Sequence, residues 1–396
     1  MLITIIFTIF IIMIAIFLVT LLVNTIRFFI KYIRKADKTL EVRRVKKNMI
    51  FIFVLGVLCF GFIGITQLTA FTPQIQGDNA VSELRQVMLN GRKEWISVRG
   101  QDKDNPVLLF LAGGPGGSQL AAVRHDLAEL EKHFVVVGWE QAGSGKSYNA
   151  INIGDITVDT YIDDAYELTQ YLCEMFEQEK IYLVGESWGS ALGIFLIDKA
   201  PELYHAFIGT GQMVSFLDTE IIDYELAMEI ARKKGDTGIV RKLESNGYPP
   251  YYGENVTWKS AVYLNYLSSY MASNPEIHNR GYNTFRDLFS SEYGMLDKIN
   301  FFRGIVNTFN AVYPQLYPID LRTDYQNVEV PVYFFLGRHD VNAPTSLVEE
   351  YFAILNAPTK EIVWFENSGH NPWRNESEKF VDEILNIIEH DTLLSP

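Results

Sequence analysis

The sequence predicts an α/β architecture: a mostly parallel sheet with helices on both faces, a helical cap inserted late in the sheet, and two membrane-spanning helices ahead of it. Three observations carry this reading. Apolar β-branched and aromatic runs alternate with helix-like patterns over most of residues 92–390, as parallel strands joined by right-handed crossovers do. Residues 212–327 break that alternation with helical and aromatic-rich irregular segments. The first 71 residues hold two long runs without a charge.

Those runs are Leu2 to Ile26 and Asn48 to Phe71, 25 and 24 residues long. Each exceeds the roughly 20 residues that a helix needs to cross about 30 Å of hydrocarbon. The loop between them, 27–47, carries nine Lys or Arg against Asp37 and Glu41, a net +7. Basic loops stay on the cytoplasmic side, so the N-terminus and everything after Phe71 are expected outside, with membrane lipid as a partner. A cleaved signal peptide is disfavoured, because no basic segment precedes the first run and no A-x-A-like site follows either. Gly56, Gly61 and Gly64 in the second run are small enough to allow close packing on the first.

The whole chain has a formal charge of −14, so with +7 in the loop residues 72–396 hold −21. Such a surface repels nucleic acid. Six Trp, 21 Tyr and 26 Phe in 396 residues indicate a packed core and exclude a disordered chain. Cys59 falls in a predicted span and Cys173 in the outer domain, which excludes an intrachain disulfide. His125, His133, His205, His278 and His390 are scattered without metal-ligand spacing, so neither a metal nor another cofactor is expected. No feature names a protein partner.

Residues 72–91 read as a linker with a short helix. Strands are expected at Trp95 to Val98, Val107 to Leu111, Phe134 to Trp139, Ile181 to Val184, Ala206 to Ile208, Val332 to Leu336 and Glu361 to Phe365. Helices are expected at Leu120 to Lys132, Val158 to Glu179, Trp188 to Lys199, Thr345 to Leu355 and Glu376 to Glu389. The core is therefore assembled from 92–211 and 328–396, and the cap, 212–327, roofs the carboxyl ends of the strands, where open α/β sheets build their sites.

Directly after one expected strand stands Gly185-Glu186-Ser187-Trp188-Gly189, followed by a helix. This is G-x-S-x-G in the strand, turn, helix setting of a nucleophile elbow, where a sharp strained turn lifts the serine above the sheet. Asp340 follows the next-to-last strand and His370 the last, the chain order in which an acid and a base meet such a serine. In this reading His370 accepts the Ser187 proton and Asp340 fixes its tautomer. His339 adjoins the acid and is read as structural, since the base must arrive on a different loop. The oxyanion needs two backbone N–H groups. Trp188 supplies one, and the loop Ala112-Gly113-Gly114-Pro115-Gly116-Gly117 the other, through Gly114 or alternatively Gly113. Glu140 to Ser147 resembles a phosphate-binding loop but carries Glu140 in place of its first glycine, so it is read as a buttress of the oxyanion strand.

Together these motifs resemble the prolyl iminopeptidase family of α/β-hydrolases, over roughly residues 92–390. Gly113 to Gly117 match its H-G-G-P-G-G with Ala112 for the histidine. Glu140 to Ser147 match D-Q-R-G-x-G-x-S with Glu140 for Asp and Ala142 for Arg, and Gly185 to Ser190 match G-G-S-W-G-S with Glu186 for the second glycine. The resemblance implies an α/β-hydrolase fold and a serine exopeptidase that removes the N-terminal residue of short peptides, with acidic groups holding the free amine. The family's G-P-N-E-F-like segment has no acidic counterpart at Asn307-Thr308-Phe309-Asn310. The amine-binding carboxylate is therefore open among Glu186, Glu140, and Glu220, Asp223, Glu225 and Glu229 of the first cap helix. Tyr224, Trp258 and Tyr263 are candidates to wall an apolar pocket. The same machinery would also serve an esterase or general amidase acting on small acyl substrates, and a binding module without catalysis is the remaining alternative.

Overall fold

The computed structural model describes residues 2–394; of Leu2, Arg280 and residues 390–394 it describes the backbone only, so the side chain of His390 and the last two residues of the expected core lie outside it. By its internal contacts the chain divides into two units. One comprises the residues up to Phe71 together with Tyr293–Ile299, the other Thr72–Glu292 and the residues from Asn300 onward.

The first unit is built on two helices, Leu2–Ile33 and Thr39–Leu68. The first ends and the second starts well beyond the charge-free runs, because helical hydrogen bonding extends into the basic loop from both sides and leaves only residues 34–38 between them. Both are long and apolar enough to cross a membrane. They pack as a hairpin through Phe17 and Phe51, whose rings stack at 5.1 Å, and through Asn48 Nδ2 donating to Thr20 Oγ1 at 3.1 Å. Gly56, Gly61 and Gly64 do not serve the close packing expected of them: a Cβ at any of the three would meet nothing within 4 Å.

The second unit is an eight-stranded sheet. Its strands are β1 (Val81–Leu89), β2 (Arg92–Gly100), β3 (Val107–Leu111), β4 (Val135–Glu140), β5 (Ile181–Glu186), β6 (Tyr204–Thr210), β7 (Val332–Gly337) and β8 (Lys360–Phe365). The order is β1-β2-β4-β3-β5-β6-β7-β8. β1 and β2 pair antiparallel, as do β2 and β4; all later neighbours are parallel. β1 occupies much of the stretch expected to be linker with a short helix. Its alternation is weak because it is an edge strand whose residues are only half-buried along most of its length.

Successive residues of the central strands face opposite layers, as the two-residue period of a strand requires. Leu109, Val137, Leu183, Phe207 and Phe334 pack beneath the helices Val158–Met175, Trp188–Lys199 and Thr345–Ile354. Leu108, Phe110, Val136, Val184, Ile208 and Phe335 pack with Phe380 and Ile384 of the last helix, Ser377–Leu394. Between β6 and β7 the chain leaves the sheet. The helices Phe216–Lys234, Thr237–Asn246 and Val256–Ala272 form a small core of their own around Tyr224, Ala227, Leu243, Tyr263 and Leu267.

Candidate active site

Every residue read as catalytic lies just past the carboxyl end of a strand. Ser187 follows β5 with φ 55° and ψ −120°, a left-handed conformation that costs a side chain of order 1–3 kcal/mol. The surrounding structure holds it there. Ser187 N donates to Thr210 O at 3.0 Å, and Ser190 Oγ, which donates to Ser187 O at 2.5 Å, in turn accepts from Met213 N at 2.9 Å. The flanking glycines are steric necessities: a Cβ on Gly185 would sit 2.3 Å from Gly189 O, and one on Gly189 would sit 2.2 Å from Leu111 O.

His370, after β8, places Nδ1 2.9 Å from Oδ2 of Asp340, after β7. The other oxygen of Asp340 accepts from the backbone N–H of Asn342 at 2.8 Å and of Ala343 at 3.0 Å, so the carboxylate is aimed by its own loop. Burial would depress the imidazole, but the charge and hydrogen bond of Asp340, with a smaller effect of the Glu186 charge, outweigh it and hold His370 at about 9. His339 points elsewhere, with Nε2 3.5 Å from Glu276.

Ser187 and His370 line one cavity of about 330 Å³, together with Gly113, Gly114 and Glu186. Phe301, Phe302 and Ile305 form an apolar wall of the same cavity. A smaller cavity, about 120 Å³, lies against His370 beside Asn342, Asn371 and Tyr282. Gly113 N donates to Gln119 Oε1 at 3.2 Å. Gln141 donates to Ala112 O and accepts from Trp188 Nε1, both at 3.0 Å, which ties the glycine loop to the elbow.

The structure separates the candidate carboxylates. Glu186 lies in the cavity wall, almost wholly buried, accepting from Tyr282 OH at 2.5 Å and from Gln119 Nε2 at 3.0 Å. Although the Tyr282 ring is exposed, its hydroxyl is enclosed between Glu186 and Gln119, and this desolvation together with the carboxylate pushes the phenol well above its usual range. Glu140, Glu220 and Glu225 are not among the residues lining this cavity. Glu140 accepts from Ser118 Oγ at 3.1 Å and Lys146 N at 2.9 Å, and so holds its own loop. Glu225 accepts from Tyr248 OH at 2.6 Å on the surface, and it lines a separate cavity with Glu229. Glu220 is fully buried against Tyr263 and Ser260. Burial raises it to about 7 despite those hydrogen bonds, and raises the neighbouring, equally buried Asp223 well above the usual carboxylate range. Trp258 is exposed and Tyr224 and Tyr263 pack in the cap core. Among the described residues no group of three or more His, Cys, Asp or Glu is arranged to hold a metal ion.

Gln119, Gln141 and Tyr282 escaped the sequence reading. Gln141 could have been found, as it stands second in the Glu140 to Ser147 motif; Gln119 and Tyr282 carry no local signal.

Residues 106–234 match the model of the α/β-hydrolase fold family. A probable aminopeptidase, YbaC of Bacillus subtilis (strain 168), is 31% identical over 317 residues, covering 78% of this chain and 98% of that protein. The chain belongs to the α/β-hydrolase family. This hydrolase is also 26% identical over 307 residues to a proline iminopeptidase of Saccharolobus solfataricus, covering 74% of the chain and 86% of the relative. In structure it is similar to the proline iminopeptidase of Mycobacterium smegmatis, with a TM-score of 0.56 and 18% identity over 79% of this chain and all of that one. At that identity the likeness concerns the fold.

Proposed function

We propose that this hydrolase is a membrane-anchored serine aminopeptidase that releases the N-terminal residue of short peptides on the outer side of the membrane. Ser187 is the nucleophile. His370 takes its proton as the Oγ–carbonyl bond forms, and the oxyanion is received by the N–H groups of Trp188 and Gly114. Gly114 is preferred over Gly113 because the Gly113 N–H is already donated to Gln119. Asp340 holds the imidazole and stabilises its cationic form. His370 then passes the proton to the departing amine, whose C–N bond breaks, and water attacking the acyl-enzyme frees the amino acid.

The observation that carries the choice of substrate is Glu186. It is a carboxylate in the wall of the reaction cavity whose partners among the described residues, Tyr282 and Gln119, are neutral. The His370 imidazolium that forms with the oxyanion is already paired with Asp340, so a negative charge at Glu186 still opposes a second one on the oxyanion unless the substrate brings a cation of its own. A peptide's free α-ammonium is such a cation, and an acylated or ester substrate has none. The α-amino group lies one bond from the carbon bearing the scissile carbonyl, close enough to sit between Glu186 and Ser187.

Membrane anchoring is supported by the two long apolar helices, and the outward orientation by the +7 loop. The test uses the full-length protein in detergent: aminoacyl-arylamides, their N-acetylated counterparts and short-chain aryl esters, each with Ser187→Ala as control. Cleavage confined to free-amine arylamides is expected. Equal cleavage of the acetylated forms would overturn the aminopeptidase reading in favour of an esterase or general amidase.

A further inference from the structure

The helix Met295–Arg303 begins in the anchor unit and ends in the hydrolase unit. Within the anchor unit its first turn is held by the end of the second apolar helix. Thr66 Oγ1 accepts from Met295 N at 3.0 Å and Gln67 Oε1 from Leu296 N at 3.1 Å, while Gln67 Nε2 donates to Asp297 Oδ1 at 2.8 Å. The other oxygen of Asp297 accepts from Gly294 N at 2.9 Å. The bonds from Met295 N and Leu296 N satisfy backbone donors that a helix N-terminus leaves without intrahelical partners, and they do so across 229 residues of chain. The fit is close: a Cβ on Gly294 would lie 1.9 Å from Gln67 Oε1 and 2.9 Å from its Cα.

Within the hydrolase unit the same helix supplies Phe301 and Phe302, and the π-helical turn after it Ile305, to the wall of the Ser187 cavity. The residue preceding the shared segment is fixed as well. Glu292 accepts from Thr72 Oγ1 at 3.0 Å and from Arg124 Nε at 2.5 Å. Thr72 lies only four residues past the end of the second apolar helix.

A helix that served only as a tether would need no such bonds; an exposed linker would be enough. Gln67 lies 19 residues beyond Asn48, about 30 Å along a helix, and so at the outer limit of the hydrocarbon in the membrane reading proposed above. We propose that Thr66 and Gln67 are positioning residues of the hydrolase: the outer end of the anchor holds the start of the helix Met295–Arg303, and through it the Phe301, Phe302 and Ile305 wall of the substrate cavity. This rests on the reading of the Ser187 cavity as the substrate site and not on which acyl substrate it takes. The wall contacts substrate and not the reacting atoms, so its disturbance appears in KM and leaves the reactivity of Ser187 in place.

The experiment uses the full chain in detergent micelles. Gln67→Glu keeps an acceptor for Leu296 N but sets a carboxylate against Asp297. Adding Asp297→Asn restores the pair with donor and acceptor exchanged. Three quantities are read: amide hydrogen exchange of 295–308, KM and kcat for the best arylamide or aryl ester, and the rate of Ser187 labelling by a small fluorophosphonate. In Gln67→Glu, exchange is expected to quicken about tenfold and KM to rise about fivefold, with kcat and labelling changed by less than about twofold, and the double variant should return both. Unchanged exchange or unchanged KM in Gln67→Glu overturns the proposal. So does a double variant that fails to restore them. If no substrate is turned over by the parent protein, the catalytic reading has failed, and the exchange arm alone still decides whether the anchor holds the start of the helix Met295–Arg303.

Discussion

The hydroxyl of Tyr282, in the cap insertion, lies 2.5 Å from Oε1 of Glu186, the residue immediately before Ser187. The cap insertion therefore meets the Gly185 to Gly189 turn in a hydrogen bond to a carboxylate that neutral donors stabilise without cancelling its charge. Glu186→Gln should lower kcat/KM for free-amine arylamides by about 100-fold and cause no such loss on acetylated ones, which stay at background. Steady-state kinetics on both series checks this. Equal losses on both would remove Glu186 from amine recognition.

The pH dependence follows from His370. Its imidazole is held at about 9 by Asp340 and Glu186 against the opposing effect of burial, and only the neutral form can accept the Ser187 proton. The acid limb of kcat/KM should therefore fall well above the ordinary histidine range. Removing one of the two carboxylates makes the imidazolium less stable, so Glu186→Gln should move that limb to lower pH. A profile of kcat/KM from pH 6 to 10 on both proteins reads the shift, and a limb that stays or rises contradicts the electrostatic assignment.

Ser187→Ala should abolish fluorophosphonate labelling, and His370→Ala should reduce turnover by several orders of magnitude. Asp340→Asn is the more discriminating change. An Asn can keep the acceptor for Asn342 N and Ala343 N but presents an N–H₂ to His370 Nδ1, which forces the wrong tautomer. The expected result is an unchanged Tm with kcat lowered on the order of 10³–10⁴-fold.

Glu220 makes a prediction about stability. Burial raises its folded value to about 7, above the unfolded value near 4.5, so folding retains a proton that the unfolded chain releases. Stability from this residue is complete below about pH 4.5 and is lost as pH rises towards 7, by up to about 3 kcal/mol. Glu220→Gln does not titrate. The Tm of the variant relative to the parent should therefore be higher at pH 8 than at pH 4.5, with Asp223 present in both. A difference in Tm that does not vary with pH would contradict the raised value.

Topology can be read in intact cells. In a Cys173→Ser background, Lys103→Cys places a thiol on an exposed turn of the hydrolase unit. A membrane-impermeant maleimide should label it without permeabilisation. Labelling only after the membrane is opened would reverse the proposed orientation.

What the sequence by itself determined was local in character. The elbow at Gly185 to Gly189, the order Ser187, Asp340, His370, the glycine loop at 113–117 and the two apolar runs are each written in a few adjacent residues or in chain order. Steric crowding at a turn, hydropathy over a span and the succession of strands are properties of the chain before it folds. Only the tertiary structure decided the rest. Glu186, Glu140, Glu220 and Glu225 are the same chemical group in sequence, and folding alone sorted them into a cavity wall, a loop brace, a buried acid and a surface side chain. Dielectric surroundings and hydrogen-bond partners come from packing. The edge strand β1 was hidden because its residues are half-buried and its pairing partner, not its own pattern, makes it a strand. The bonds of Thr66 and Gln67 to residues 295–297 could not be read in advance, since the N–H groups of a helix N-terminus donate to any well-placed oxygen, and only the folded chain brings one there from 229 residues away.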